Sequence, residues 1–508
     1  MSRKLVLCVV DSLREDMLSE TVAAGRAPLL GELIERGMLI SDCVSSFPSV
    51  TPVCTSEIAT GVGPAGHWIA GMNWYHRAER RYVEYGSSLE ASRSMGLFRA
   101  LYDVVYNLNM SHLSPEVETI FERLGDAGLR SACTPFLIYR GRTRHELGLE
   151  GLLRRVAVAA NFRHATWGPD ELFYGELYSS RRVPCKPTLA RPGTRDEYSA
   201  CVGRELAADD LNDFLLFSLP DNDSHSHRYG PAAQAESIER ADASLTELVE
   251  AHGGIDDFLA GRSLIVTADH AHTEVEHELP LVELLRERWR VADPRPEEVS
   301  DPELAVSPSS RAASVYLLGP GEERAERHAE LRTRLLETAG VDLVCWLAGP
   351  DGEPIVRAGV GAPELGGGWA VIDVGNEPIR FRSGGELRDR RGRCWELDGN
   401  LGLLGGQVSG GELDAPLYPD VLSRVWGALC SPYAGDVLVS NTEGYECVDW
   451  GGTSHAPGGS HGSLLAGDSL VPLLLVGMDP SIPARREQWA IRDVAGLVLE
   501  HFGLEGPA

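Results

Sequence analysis

Aspartate and histidine crowd one short stretch of this chain. Phe214–Leu219 is an apolar run with the length and composition of a buried strand. It breaks at Pro220 into Asp221, Asn222, Asp223, Ser224, His225, Ser226 and His227. Two carboxylates and two imidazoles just beyond a buried strand form a donor set for a divalent ion. The mixture suits zinc and its neighbours better than magnesium or calcium, which prefer oxygen alone. The competing reading is a solvated polar loop. Two more apolar runs end the same way. Lys4–Val10 runs into Asp11, and Ser263–Ala268 runs into Asp269, His270, Ala271 and His272. Asp11 alone could be a helix cap. Three acidic strand tips in one chain argue for convergence on one site.

Two further stretches could serve that site. Phe47–His67 is dense in hydroxyls: Ser49, Thr51, Thr55, Ser56 and Thr60. Pro52 fits a first helical position, which puts Thr51 at the helix boundary. A hydroxyl there can be activated by backbone N–H groups and a metal, or can serve only as a cap. Gly451–Ser463 is glycine-rich and carries His455 and His461, so the backbone can approach an ion closely while an imidazole reaches it.

The elements that must position these residues are those of an α/β protein. Open α/β sheets place ligands beyond strand ends. Pro28–Gly37 and Ala232–His252 have helical apolar faces. Residues 72–210 are mixed, with helical patterns at Leu97–Leu108 and Glu116–Ala127 and a strand-like Arg130–Arg140. They read as a cap whose Arg and aromatic residues could bind substrate. Pro294–Pro308 reads as a linker, and Val356–Trp395 as hairpins. Asp436–Ser440 and Leu470–Val476 read as returning core strands, and Ile491–Phe502 as a closing helix. The division expected is core at 1–71, 211–285 and 429–508, a cap at 72–210 and a smaller α+β insertion at 286–428.

Composition bounds the partners. The 508 residues carry 47 Lys+Arg against 75 Asp+Glu, a formal charge of -28. That opposes nucleic acid or an anionic membrane as a bulk partner. It leaves room for a small anionic substrate, because a metal inverts the local field. The ten cysteines form no CxxC pair, and Cys8 reads as a small buried hydrophobe. No signal peptide or membrane-length run is read, so the expectation is a soluble protein of the reducing cytoplasm.

In this order the motifs resemble the alkaline phosphatase superfamily, and within it the type I phosphodiesterase/nucleotide pyrophosphatase branch. NDSHSHRYGP resembles that branch's P-D-x-x-G-H-x-x-G-P segment, with Gly230-Pro231 setting Asp223 and His227 in register; Asp221 with His225 is the alternative register. Ala268-Asp269-His270-Ala271 resembles S-D-H-G, Asp11 the first strand-tip Asp, and His461 the last histidine, with His455 as the alternative. Counting nine residues back from Thr60-Gly61 reaches Thr51, the family's nucleophile position.

The resemblance covers about residues 1–70, 210–280 and 430–508. It implies a three-layer sandwich with a mostly parallel central sheet. It implies two divalent metal ions, zinc with manganese as the alternative. Asp223, His227 and His461 would hold one; Asp11, Asp269 and His270 would hold the other, with Thr51 near both. Three positions depart from the branch. Cys54 stands where its phosphodiesterases carry an Asn that helps hold phosphoryl oxygens, Ser226 replaces a Gly, and so does Ala271. Oxyanion support would then fall to the metals, backbone N–H groups or a residue such as Asn73.

The function expected is a phosphodiesterase or pyrophosphatase working through Thr51 on a small phosphorylated substrate. A metal-dependent phosphomonoesterase or phosphonate hydrolase is the alternative, and a phospho-transferase or mutase a further one. An inactive metal- or ligand-binding protein is the reading from another class. A sulfatase is set aside, because Cys54-Thr-Ser-Glu-Ile lacks the Pro and Arg of that nucleophile segment.

Overall fold

The computed structural model describes residues 3–148, 164–175, 177–186, 195–295, 299–357, 359–375 and 377–507. Parts of the expected cap (149–163 and 187–194) and of the expected linker (296–298) lie outside the described residues.

The strand Lys4–Val10 is buried along nearly its whole length and lies between Phe214–Leu219 and Arg262–Thr267, parallel to both. Continuous apolar runs such as these suit a sheet covered on both faces. The register decides the function. Val10 pairs with Leu219, and Val9 with Thr267. The residues just past these pairs, Asp11, Asp221–Asp223 and Asp269, therefore emerge at one level on one edge of the sheet. The strand order is Met38–Val44, Leu470–Val476, Arg262–Thr267, Lys4–Val10, Phe214–Leu219, Ser131–Cys133, Glu171–Tyr174, Tyr178–Ser179. Pairing is parallel from Arg262–Thr267 to Glu171–Tyr174 and antiparallel at both ends. The sheet is mixed, with a parallel centre.

Helices gather in two groups around this sheet. Gln234–Glu250 buries Ile238, Ala241, Leu245 and Leu248 and packs with Arg195–Asp209, Glu15–Ala23 and Pro28–Arg36. Thr51–Thr60, Ile120–Asp126 and Asp493–His501 pack together in the other group. These are the helical layers of an α/β sandwich.

Several local readings differ from the structure. Asp221–Tyr229 is an α-helix rather than a loop, and the low apolar content that suggested a loop reflects its place at the site. Of Arg130–Arg140, the strand is Ser131–Cys133; with Glu171–Tyr174 and Tyr178–Ser179 it extends the central sheet from within 72–210. The stretch Pro294–Pro308 contains most of a buried strand, Leu304–Ser309. Val437–Asn441 belongs to a second sheet, between Ala312–Leu317 and Val341–Ala348, and not to the sheet of Lys4–Val10.

A small third sheet matters more for the site. Thr273–Leu279 pairs antiparallel with Gly458–Ser460, and Thr273 faces Ser460. His272 and His461 are the next residues on each strand, so this pairing brings them together. Cys8 is fully buried, as expected. Cys185 and Cys201 are disulfide-bonded, which departs from the expectation of reduced cysteines. Among the described residues no helix is long and apolar enough to cross a membrane.

Candidate metal centre

Of the seven residues singled out from the sequence, the structure brings Asp11, Thr51, Asp223, Asp269, His270 and His461 together, and sets His227 beside Asp223 but outside both donor groups. The helix Asp221–Tyr229 sets Asp223 and His227 four residues apart, on one face. His227 Nε2 lies 3.4 Å from Asp223 Oδ1, and its Nδ1 is 2.8 Å from the Gly459 carbonyl. That approach requires Gly458 and Gly459. A Cβ at Gly458 would sit 2.3 Å from the His227 carbonyl, and one at Gly459 would sit 2.5 Å from the Ser226 carbonyl.

Two donor groups form. Ligand atoms of Asp223, His270, His272 and His461 lie within 4.8 Å of one another, as do those of Asp11, Asp269 and His270. His270 belongs to both. His461 Nε2 is 3.9 Å from Asp223 Oδ1, and its Nδ1 is 2.7 Å from the Ser49 carbonyl. Thr51 Oγ1 lies 3.2 Å from His270 Nε2, at the first residue of the helix Thr51–Thr60.

His455 stands apart from both groups. Its ring stacks on His227 with centroids 3.7 Å apart, while its Nδ1 is 2.7 Å from Glu446 Oε1. In the alternative register, Asp221 is committed elsewhere. It accepts from the Arg195 backbone N–H (2.7 Å) and Nε (2.9 Å) and from the Asp196 N–H (3.0 Å). His225 Nε2 is 3.1 Å from the Ala233 carbonyl. Asn73 is turned away: its Nδ2 donates to the Pro308 carbonyl. Cys54 is fully buried.

His272 and Ser12 were not assigned from the sequence. His272 Nε2 is 3.0 Å from Asp223 Oδ1. Ser12 Oγ donates to Asp223 Oδ1 at 2.8 Å, and Ser12 N–H donates to Asp269 Oδ1 at 3.2 Å. The available signal for His272 was its spacing from His270, since residues i and i+2 of an extended segment share a face.

The electrostatics fit a cationic guest. Burial, then the neighbouring Asp269 and Asp223, raises the Asp11 carboxyl well above its usual range. Burial raises Asp269 to about 6. Burial also opposes ionisation of Asp223, but the imidazoles of His227, His272 and His461 override it and hold that carboxyl well below its usual range. Burial lowers His227 to about 3 and His270 and His461 to about 4, so these rings are neutral at pH 7 and keep a free lone pair. Asp269 Oδ2 and His272 Nδ1 are buried without a hydrogen-bond partner among the described residues. Clustered carboxylates, neutral imidazoles and unpartnered buried acceptors are what a divalent ion would complete.

Two cavities meet at this point. One, of about 550 Å³, is lined by Thr51, Ser87, Arg195, Asp223, His455 and His461, among others. The second, of about 230 Å³, shares Thr51, Met72, Gly86, Arg195 and Asp223 with it and adds the apolar wall Pro135, Phe136 and Leu137.

Residues 5–349 match the family described as type I phosphodiesterase / nucleotide pyrophosphatase, and the chain belongs to that family. It is a hydrolase of the metal-dependent phosphodiesterase/pyrophosphatase-like type. Its fold is similar to phosphonoacetate hydrolase from Sinorhizobium meliloti 1021, seen in complexes with phosphonoformate and with phosphonoacetate. Each comparison has a TM-score of 0.52 and 17% identity, over 97% of this chain and 94% of that chain. No curated protein sequence matches this chain.

Proposed function

We propose that this protein cleaves a phosphodiester or pyrophosphate bond, with Thr51 as nucleophile and two divalent ions, zinc or manganese, in the two donor groups. The observation that carries the reading is the position of Thr51 Oγ1, 3.2 Å from His270 Nε2, beside the residue both groups share. The neighbouring hydroxyls are otherwise engaged. Ser49 Oγ donates to the Ser463 carbonyl, Thr55 Oγ1 to the Thr51 carbonyl and Ser56 Oγ to the Pro52 carbonyl.

Asp11, Asp269 and His270 would hold one ion. Asp223 and His461 would hold the other, together with His272 of the same donor group and with His227, which lies outside that group with its Nε2 3.4 Å from Asp223 Oδ1. Bound there, the ions supply Lewis acidity toward phosphoryl oxygens and lower the pKa of a nearby hydroxyl. Thr51 Oγ forms the bond to phosphorus as the leaving oxygen departs, giving a phospho-threonine that water then hydrolyses. Val53 and Cys54 donate their N–H groups to the Val50 carbonyl and Pro52 has none, so Thr51 supplies the first-turn N–H for a phosphoryl oxygen. The apolar wall Pro135–Leu137 excludes water from one side of the reacting group.

A phosphonate hydrolase is the second reading. It is favoured by the burial of Cys54 and the turning away of Asn73, which leave no side-chain amide among the described residues lining the two cavities for the phosphoryl oxygens of a diester. Turnover of bis-p-nitrophenyl phosphate against p-nitrophenyl phosphate and phosphonoacetate, on EDTA-stripped protein with zinc or manganese restored, separates the two. A preferred diester supports the first reading. A preferred phosphonate moves the assignment to the second.

A further inference from the structure

Arg195 is a cation on the wall of both cavities. It opens the helix Arg195–Asp209, and the rest of the chain holds it in one orientation. Its Nε donates to Asp221 Oδ1 at 2.9 Å, and its Nη2 donates to the Pro220 carbonyl at 2.9 Å and to Ser224 Oγ. Asp221 also accepts the Arg195 backbone N–H, so carboxylate and arginine clamp each other at two points. These bonds use Nε and Nη2. The two N–H groups of Nη1 have no partner among the described residues. A guanidinium fixed by three of its donors, with two more free at a cleft, is preorganised to receive an anion.

Its position says which part of a ligand it would meet. Among the described residues Arg195 makes its ion pair with Asp221, and it feels Asp223 and Asp11 as charges without a hydrogen bond to either. It carries no ligand atom of either donor group and lines the cleft beside them. The apolar wall Pro135–Leu137 offers no charge to compete for an anion.

We infer that Arg195 is a specificity-determining residue that binds a second anionic group of the substrate, a carboxylate or a further phosphoryl group, beyond the reacting phosphorus. This rests on the reading of the cluster as a phosphoryl-binding metal site. The ligand class is then a phosphoryl or phosphonyl compound with two separated anionic groups. Arg195 makes no bond to the reacting atoms.

Calorimetric titration of zinc-loaded full-length protein tests this with three ligands: methylphosphonate, phosphonoacetate and methylenediphosphonate. Wild-type protein is expected to prefer at least one of the last two over methylphosphonate by roughly 10- to 100-fold, the range for a charge-assisted hydrogen bond. Whichever is preferred identifies carboxylate or phosphoryl as the second group. Arg195→Ala is expected to abolish that preference while methylphosphonate affinity stays within about twofold. Arg195→Lys keeps the charge but loses the clamp on Asp221 and Pro220 that orients it, and is expected to fall between.

Loss of affinity for all three ligands together in both variants would overturn the inference, since Arg195 would then support the fold or the reacting group. So would wild-type protein that binds methylphosphonate as tightly as the other two. Failure of the hydrolase reading is seen separately, as absent turnover of both nitrophenyl substrates and of phosphonoacetate by the wild type.

Discussion

Glu84 links the stability of this fold to the shape of its cleft. It ends the strand Arg81–Glu84 and is 1% exposed. Its Oε1 accepts from the N–H groups of Gly86 (2.7 Å) and Ser87, and its Oε2 accepts from Ser87 Oγ (3.1 Å). Gly86 and Ser87 both line the larger cavity. Burial raises the Glu84 carboxyl from 4.5 to about 7, against the opposing pull of the two backbone donors. A carboxyl raised on folding binds its proton more tightly in the folded chain. Its contribution is fully present below 4.5 and is lost as pH rises through about 7. Each pH unit between those values is worth about 1.4 kcal/mol, so about 3 kcal/mol is the ceiling. Glu84→Gln keeps an oxygen for the Gly86 and Ser87 amides and cannot ionise. Relative to wild type, the variant is therefore expected to gain about 1–3 kcal/mol in stability between pH 5 and pH 8.5. Urea unfolding of both proteins at both pH values measures this, and taking the difference cancels the other titrating groups. A wild-type/variant difference constant within about 0.5 kcal/mol, the size of an ordinary surface effect, would refute the reasoning.

Three further outcomes are expected. Asp223→Ala and His227→Ala each lower bound metal on elemental analysis, whereas Asp221→Asn and His225→Ala leave it near wild type; the reverse pattern would move the ligand set to the other register. His272→Ala removes a buried imidazole 3.0 Å from Asp223 and is expected to weaken metal retention by roughly 10- to 100-fold, read by competition with a chelating dye; unchanged retention would reduce His272 to packing. Stripping the metals leaves Asp11, Asp223 and Asp269 facing one another, and should lower the unfolding temperature. Restoring an ion at about a thousandfold excess over its Kd returns about 4 kcal/mol per site, and an unfolding temperature indifferent to metal would argue against the site.

Much of the centre was legible in the sequence because buried parallel strands announce themselves as apolar runs. Phe214–Leu219, Lys4–Val10 and Ser263–Ala268 end in chemistry-bearing residues, and parallel pairing puts those ends on one edge. What stayed hidden depended on pairing or on weak local signals. Asp221–Tyr229 has too few apolar residues to look helical, since its buried face carries Asp221, Asn222 and Ser226. His272 joins the cluster through the pairing of Thr273 with Ser460, across 187 residues of chain. Ser131–Cys133 is three residues long, too short to show a period, yet it extends the central sheet. The membership of Val437–Asn441 in a second sheet follows from its antiparallel neighbours and not from its composition. Arg195 and Asp221 are 26 residues apart, and neither marks the other.

Thr51 is expected to be the nucleophile, beside a metal cluster built by other residues. The most direct measurement is turnover of bis-p-nitrophenyl phosphate by Thr51→Ala, with bound metal determined on the same sample. Loss of the nucleophile is expected to lower turnover by roughly four orders of magnitude or more while metal content stays near wild type. Near-normal turnover with full metal content would contradict the account and shift the nucleophile to another group at the cleft.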